Sequence, residues 1–228
     1  MKKIIVLNHK MNLEYDEVIP YINTLNQINT DNNLIICPSN IYLNDFINHS
    51  SWGIGAQDVS EKLDGNYTGE ISTLQLKSLG IEYSIVGHYE RKKHFHETNK
   101  DINNKLNACL DSNISPILCF GETGNTDDAL EALDELLKGV PNIDFIIFAY
   151  EPLKVSEQES VANIQEQIKI IYEYLKDKYN SHPNIIYGGG IAGKDINNLL
   201  DCEELNGIMI GKISSNKEKI EKIIKSIK

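Results

Sequence analysis

Short, unbroken apolar runs alternate with longer amphipathic stretches from one end of the chain to the other. The runs cover positions 4–7, 34–37, 52–56, 83–86, 116–120, 145–149, 185–187 and 208–210. Runs this short, without polar alternation, predict strands buried on both faces, as in a parallel sheet. Between several of them, apolar residues recur at steps of three and four. One set is Ile102, Leu106, Cys109 and Leu110, and a second is Ala129, Leu133, Leu136 and Leu137. Val161, Ile164, Ile168, Ile171 and Leu175 form a third, and Ile220, Ile223, Ile224 and Ile227 a fourth. Each stripe predicts a helix laying one face on the sheet and showing its charged face to water. The second unit is the weakest, since positions 41–47 allow only a short helix.

Eight strand–helix units in 228 residues, roughly 28 residues each, suit a closed (β/α)8 barrel better than an open doubly wound sheet. No linker, Pro/Gly-rich spacer or low-complexity block interrupts the repeat. The expectation is therefore one α/β domain spanning residues 1–228.

Charge narrows the partners. Lys and Arg number 22 against 33 Asp and Glu, a formal net charge of −11. That balance argues against nucleic acid and against an anionic membrane surface, both of which are held by basic patches. It leaves room for a small anion, because a local site can oppose the global field. A hydrophobic content of 41% with 24% charged residues is that of a globular chain. No apolar run approaches the length of a membrane span. Cys37, Cys109, Cys119 and Cys202 show neither a paired spacing nor a zinc spacing, and read as packed thiols in a reducing compartment. The apolar run after Met1 is too short for a signal-peptide core, so a cytoplasmic location is expected.

In a (β/α)8 barrel the chemistry lies at the C-terminal ends of the strands, which leaves eight places to search. Asn8, His9 and Lys10 follow the first run, and Gln57 and Asp58 the third. Gly87, His88, Tyr89, Glu90 and Arg91 follow the fourth, Gly121 and Glu122 the fifth, and Glu151 and Pro152 the sixth. The seventh opens into Gly188, Gly189 and Gly190, and the eighth into Gly211 and Lys212. A desolvated Glu151 could take a proton from carbon beside a carbonyl. His88 could donate to the carbonyl oxygen and shuttle protons between neighbouring oxygens. Lys10 could stabilise the developing enediolate with fixed charge. The glycine turns could cradle a phosphate with backbone N–H groups. Taken singly, each residue has an ordinary reading as a surface charge or a structural histidine, and His49 and His182 read as surface loop residues. Their convergence on one rim is the signal. His94, His96 and Glu97 superficially suggest a metal cluster, but they fall in the lead into a helix beginning near Glu97. No metal, dinucleotide or other cofactor is expected.

Several segments together resemble the triosephosphate isomerase family. They are Asn8-His9-Lys10, Gly55 to Ser60, Gly65 to Ser72, Tyr83 to Arg91, Pro116 to Thr123, Ala149-Tyr150-Glu151-Pro152 and Tyr187-Gly188-Gly189. They occur in the family's order and cover essentially the whole chain. The resemblance implies a TIM barrel that interconverts dihydroxyacetone phosphate and glyceraldehyde 3-phosphate by enediolate proton transfer. It implies Glu151 as the base, His88 as a neutral electrophile, and Lys10 with Asn8 at the oxygen-bearing end of the substrate. Gly189, Gly190, Gly211 and Lys212 fall at the family's phosphate turns. Glu90 would support the lysine, and Arg91 would pair with Glu97. The segment 65–72, with Thr68 at its tip, resembles the loop that completes a partner's site in a homodimer. The short connection between Phe120 and Phe145 resembles compact family members, some of which are tetrameric.

The departures lie in the phosphate grip. The family's lid carries Gly-Thr-Gly; here it reads Pro152, Leu153, Lys154, Val155, Ser156, Glu157, Gln158, Glu159 and Ser160. Gly190 stands where the family has serine, Lys212 where it has glycine, and Tyr89 where a serine follows the catalytic histidine. Lys212 is expected to contact either the phosphate or a lid carboxylate, and Tyr89 bears on the resting pose of Glu151. Two alternatives stay open at this point: an isomerase of another small sugar phosphate, such as a four-carbon one, and a barrel that has lost catalysis.

Overall fold

The computed structural model describes residues 2–153, 160–190 and 195–227. Eight parallel strands, β1 (Ile4–Asn8), β2 (Asn33–Cys37), β3 (Gly53–Ala56), β4 (Tyr83–Val86), β5 (Ser115–Phe120), β6 (Ile147–Tyr150), β7 (Asn184–Tyr187) and β8 (Leu205–Ile210), pair in chain order and close into a barrel. The helices that follow are α1 (Tyr15–Asn26), α2 (Leu43–His49), α3 (Thr73–Ser78), α4 (Tyr89–Phe95), α5 (Asn99–Asp111), α6 (Thr126–Leu136), α7 (Val161–Tyr179), α8 (Ile196–Leu200) and α9 (Lys217–Ser226). The chain is a (β/α)8 barrel.

The unbroken apolar runs are explained by two cores. Val6, Ile35, Ile85, Ile117, Cys119, Ala149, Ile186 and Met209 form one buried cluster, the packed interior of the barrel. Their neighbours in the strands, among them Ile5, Leu7, Ile36, Leu118, Phe120 and Ile208, join the helix stripes in a second cluster outside it. A strand residue therefore meets apolar surface whichever way it points. All four cysteines are buried and unbridged. Among the described residues no helix is long and apolar enough to cross a membrane.

Closure depends on one small residue. Strand β8 pairs with β1 through Gly207 opposite Ile4. A Cβ at Gly207 would stand 1.8 Å from the Ile4 carbonyl oxygen, so only glycine lets the last strand reach the first. The run at 208–210 extends back through Gly207 to Leu205 as strand β8.

Two expectations need correction. Phe145 is exposed and precedes β6, which begins at Ile147. Ile143 and Ile146 are buried instead, joined by a turn in which the Ile146 N–H donates to the Ile143 carbonyl at 3.0 Å. The stretch holding His94 and His96 is not a lead-in but the end of a helix of its own. His88 caps that helix, α4, and His96 ends it in the left-handed region at φ 58°. Both His94 and His96 are exposed.

A partly buried ionic cluster, with Lys105 and Glu97 at its buried end, ties α4 and α5 beneath the rim. Arg91 Nε lies 2.8 Å from Glu97 Oε1 and 3.0 Å from Asp58 Oδ2. Lys105, whose ammonium is buried, bridges the same two carboxylates, 2.7 Å from Asp58 Oδ1 and in direct contact with Glu97. Burial still pushes the Asp58 carboxyl above its ordinary range, despite the pull of Lys105 and Arg91. The cluster is a fixed strut, since breaking it would strand buried charge.

Replacing Gly207 with alanine should open the β1–β8 seam and lower the unfolding free energy by about 3 kcal/mol. Urea denaturation followed by circular dichroism measures this, and a change under 1 kcal/mol would contradict the steric reading.

Candidate active site

The rim residues after β1, β4, β6 and β8 meet at one place. Lys10 sits just past β1 with φ 55°, a left-handed backbone that costs a lysine energy. The surroundings impose it. The Lys10 N–H donates to Asn8 Oδ1 at 3.2 Å, while its carbonyl accepts from Ser39 Oγ at 2.9 Å and Gln57 Nε2 at 2.7 Å. At the far end, the Lys10 ammonium donates to Glu90 Oε1 at 2.5 Å. A Cβ placed on Gly211 would lie 3.8 Å from that ammonium, so the turn after β8 passes close beside the lysine.

His88 is buried at the N-terminus of α4. Its Nδ1 accepts from the Glu90 N–H at 3.2 Å, which leaves the proton on Nε2. Burial, then the nearby Lys10 charge, push the imidazole down to about 4, so the ring is neutral near pH 7. Glu90 is balanced the other way. Burial raises its carboxyl, but the hydrogen bond and charge of Lys10 hold it below the usual range. Tyr89 lays its ring against His88, with centroids 5.0 Å apart, and under Lys10 Nζ at 5.8 Å. It lies on the histidine side of the site.

Glu151 comes off the end of β6 and is buried, with its N–H held by the Phe120 carbonyl at 2.9 Å. Burial pushes its carboxyl up to about 8, against smaller lowering contributions from the Cys119 thiol and Lys10. Oε1 stands 3.5 Å from His88 Nε2, too far for a strong hydrogen bond, and Oε2 has no hydrogen-bond partner among the described residues. The two groups thus stand side by side, with hydrogen-bonding capacity on Glu151 unused among the described residues. Gly188 makes room for this arrangement, because a Cβ there would come within 2.6 Å of Glu151 Cγ.

The remaining candidates are placed as follows. Gly189 is buried beside the Tyr187 hydroxyl, and Gly190 is exposed with open space around it. Lys212 is exposed and forms no ion pair with a described carboxylate. Of the lid residues, Pro152 is buried, Leu153 is exposed with its N–H on the Glu122 carbonyl, and Ser160 caps α7. Lys154, Val155, Ser156, Glu157, Gln158 and Glu159 lie outside the described residues, and with them the expected contact of Lys212 with a lid carboxylate. Asp58 and Arg91 serve the ionic strut rather than the rim space.

Sequence reasoning missed several groups. Ser39 follows β2 at the rim and was readable as a rim position. Cys119 was readable from strand alternation, which points it inward beside Glu151. Lys105 interrupts the apolar stripe of α5 and so signalled a buried charge. The Lys92–Glu122 pair, 2.8 Å apart, carried no such sign.

An eight-stranded parallel barrel with a desolvated carboxylate, a neutral imidazole and a lysine on its C-terminal rim defines an enzyme class: barrels that move protons beside a carbonyl. The sequence profile described as triosephosphate isomerase matches residues 3–227. Relatives named triosephosphate isomerase include one from Orientia tsutsugamushi (strain Ikeda), 32% identical over 100% of this chain and 98% of its own length. Another, from Aquifex aeolicus (strain VF5), is 32% identical over 99% of this chain and 100% of its own. A third, from Wolbachia sp. subsp. Brugia malayi (strain TRS), is 34% identical over 100% of this chain and 98% of its own. The chain belongs to the triosephosphate isomerase family.

Titration follows from this geometry. The carboxyl carbon signal of Glu151, identified by its loss in Glu151→Gln, should shift with a midpoint near 8. His88 should stay neutral from pH 8 down to 5, read from its ring nitrogens. A Glu151 midpoint near 4.5 would mean the carboxylate is hydrated.

Proposed function

We propose that this chain interconverts dihydroxyacetone phosphate and glyceraldehyde 3-phosphate, with Glu151, His88 and Lys10 as its catalytic residues. The observation that carries the reading is the buried Glu151 carboxylate, with one oxygen lacking a hydrogen-bond partner among the described residues and the other facing the Nε2–H of a neutral His88. Glu151 takes a proton from the carbon beside the carbonyl and returns it to the adjacent carbon. The carbonyl oxygen accepts from His88 Nε2–H, and the same ring carries the proton between the two oxygens of the enediolate. Neutral imidazole is a weak acid, matched to an enediolate oxygen, so it shares its proton without surrendering it early. Lys10 adds fixed positive charge as negative charge develops on those oxygens, and Glu90 holds its ammonium in place. Asn8, through the Lys10 N–H, sets the backbone turn that aims the lysine. None of these steps calls on a cofactor.

The phosphate is assigned to the turns after β7 and β8, where Gly189, Gly190 and Gly211 offer backbone N–H groups and Lys212 adds a cation. Residues 152–160 form the lid in this reading. The same reading makes the protein a cytoplasmic enzyme of glycolysis and gluconeogenesis and a homodimer joined through segment 65–72, with a tetramer as a larger assembly. What supports the dimer is a band of exposed apolar side chains on the connections after four consecutive strands. Met11 is 91% exposed, Ile41 78%, Tyr67 48% and Phe95 64%. Side chains of this kind on one side of a barrel mark a contact surface.

Two measurements test the proposal. Steady-state assays should show turnover of glyceraldehyde 3-phosphate that falls about 1,000-fold in Glu151→Gln and rises with pH toward 8 as Glu151 ionises. In the same assay, Lys212→Gly should raise KM with kcat little changed. Turnover confined to a four-carbon ketose phosphate would replace the substrate, and inactivity on both would sink the enzyme reading. Light scattering should give twice the 25.8 kDa chain mass, with Tyr67→Glu shifting it toward the monomer.

A further inference from the structure

His9 lies between two residues of the site yet points away from it, into a buried hydrogen-bonded chain. Its Nε2 is 2.9 Å from the Tyr21 hydroxyl, and that hydroxyl lies 2.6 Å from the Ser214 carbonyl oxygen. A carbonyl only accepts, so the Tyr21 proton is committed to Ser214, and His9 Nε2–H must donate to the Tyr21 oxygen. The chain therefore has one direction. His9 and Tyr21 are 1% exposed and Ser214 is fully buried, which shields the chain from bulk solvent. The His9 ring is packed edge-on against Tyr21 and Phe46, with centroids at 4.7 and 5.6 Å.

What this chain joins gives it a use. His9 is bonded directly to Lys10 in the turn just past β1 that presents the ammonium. Ser214 belongs to the 3-10 turn Lys212–Ser215, and its N–H donates to the Gly211 carbonyl at 2.7 Å. Tyr21, from α1, thus pins the turn after β8 to the turn after β1, and Gly211 in that turn lies beside the Lys10 side chain, which a Cβ at 211 would touch. We infer that Tyr21 and His9 are positioning residues: they set the distance between the Lys10 ammonium and the Gly211–Lys212 turn, and so the fit of the substrate's anionic end. This inference rests on the assignment of that turn to phosphate. Burial holds His9 down to about 3, so the link does not switch within the working pH range.

The cost of a purely packing role and of a positioning role differ in kind. Loss of packing lowers stability, whereas loss of position weakens anion binding while leaving proton transfer to Glu151 and His88. Tyr21→Phe keeps the ring and removes the link. It should raise KM by roughly three- to tenfold, leave kcat within twofold, and weaken binding of inorganic phosphate, measured by calorimetry, in the same proportion. His9→Gln, whose amide can still donate to Tyr21, should stay near the wild type, and His9→Leu should behave like Tyr21→Phe. If Tyr21→Phe does not fold, the His9 pair decides. Unchanged KM and phosphate affinity in Tyr21→Phe, or equal effects of Gln and Leu at position 9, overturn the inference. A wild type that binds phosphate but fails to turn over the triose defeats the functional proposal alone, and the calorimetric comparison then decides this one. A wild type that binds no phosphate overturns the inference outright.

Discussion

The rim is organised around a carboxylate kept out of water. Glu151 is buried, with one oxygen unpaired among the described residues, an arrangement that penalises its ionised form and makes it a strong base for its type. Holding it there requires a rigid frame, because any opening that admitted water would return the carboxyl to ordinary acidity. The frame is the closed barrel: Phe120 on β5 fixes the Glu151 backbone, and Gly188 after β7 leaves space for its side chain. Closure of β8 on β1 through Gly207 keeps those strands at fixed spacing. The stability lost in burying a charge-bearing group is thus offset by the two apolar cores on either side of the sheet.

One short helix governs the rest of the electrostatics. His88 caps α4, and the Glu90 N–H in its first turn fixes which ring nitrogen carries the proton. The Glu90 carboxylate then grips Lys10, and Arg91 roots the same turn in the partly buried cluster with Asp58, Glu97 and Lys105. Tautomer, lysine position and mechanical anchoring all come from consecutive residues. The arrangement also explains how a chain of net charge −11 can present a cation locally. Lys10 is aimed by its strained backbone and its ammonium is held by Glu90, so its field is directed even though the chain as a whole is acidic.

The fold was legible because both faces of each strand are apolar and the helix stripes recur at steps of three and four. Burial on two sides leaves a signature that survives without neighbours in space. Phe145 was misread for the same reason: an exposed phenylalanine beside buried Ile143 and Ile146 looks like part of a strand until pairing shows where β6 begins. Helix α4 was hidden because it buries no side chain of its own and is defined by capping. The site was legible as far as strand ends could be counted, which located Lys10, His88, Glu151 and the glycine turns. Ser39, Gln57 and Tyr21 act through hydrogen bonds to backbone carbonyls; counting strand ends reaches the first two as rim positions, but nothing in the local sequence of Tyr21 distinguishes it from an ordinary aromatic residue.

The sequence by itself determined the eightfold repeat, the strand ends and the residue types gathered there, since periodicity and chemistry are local properties. Tertiary structure alone decided the protonation of those residues. A glutamate becomes basic, a histidine neutral and a lysine fixed only when folding removes water and supplies partners from distant strands. The same holds for His9, which looks in the sequence like part of the site and is turned by packing toward Tyr21 and Ser214. Distance and desolvation act across the barrel, and neither is written in the order of the residues.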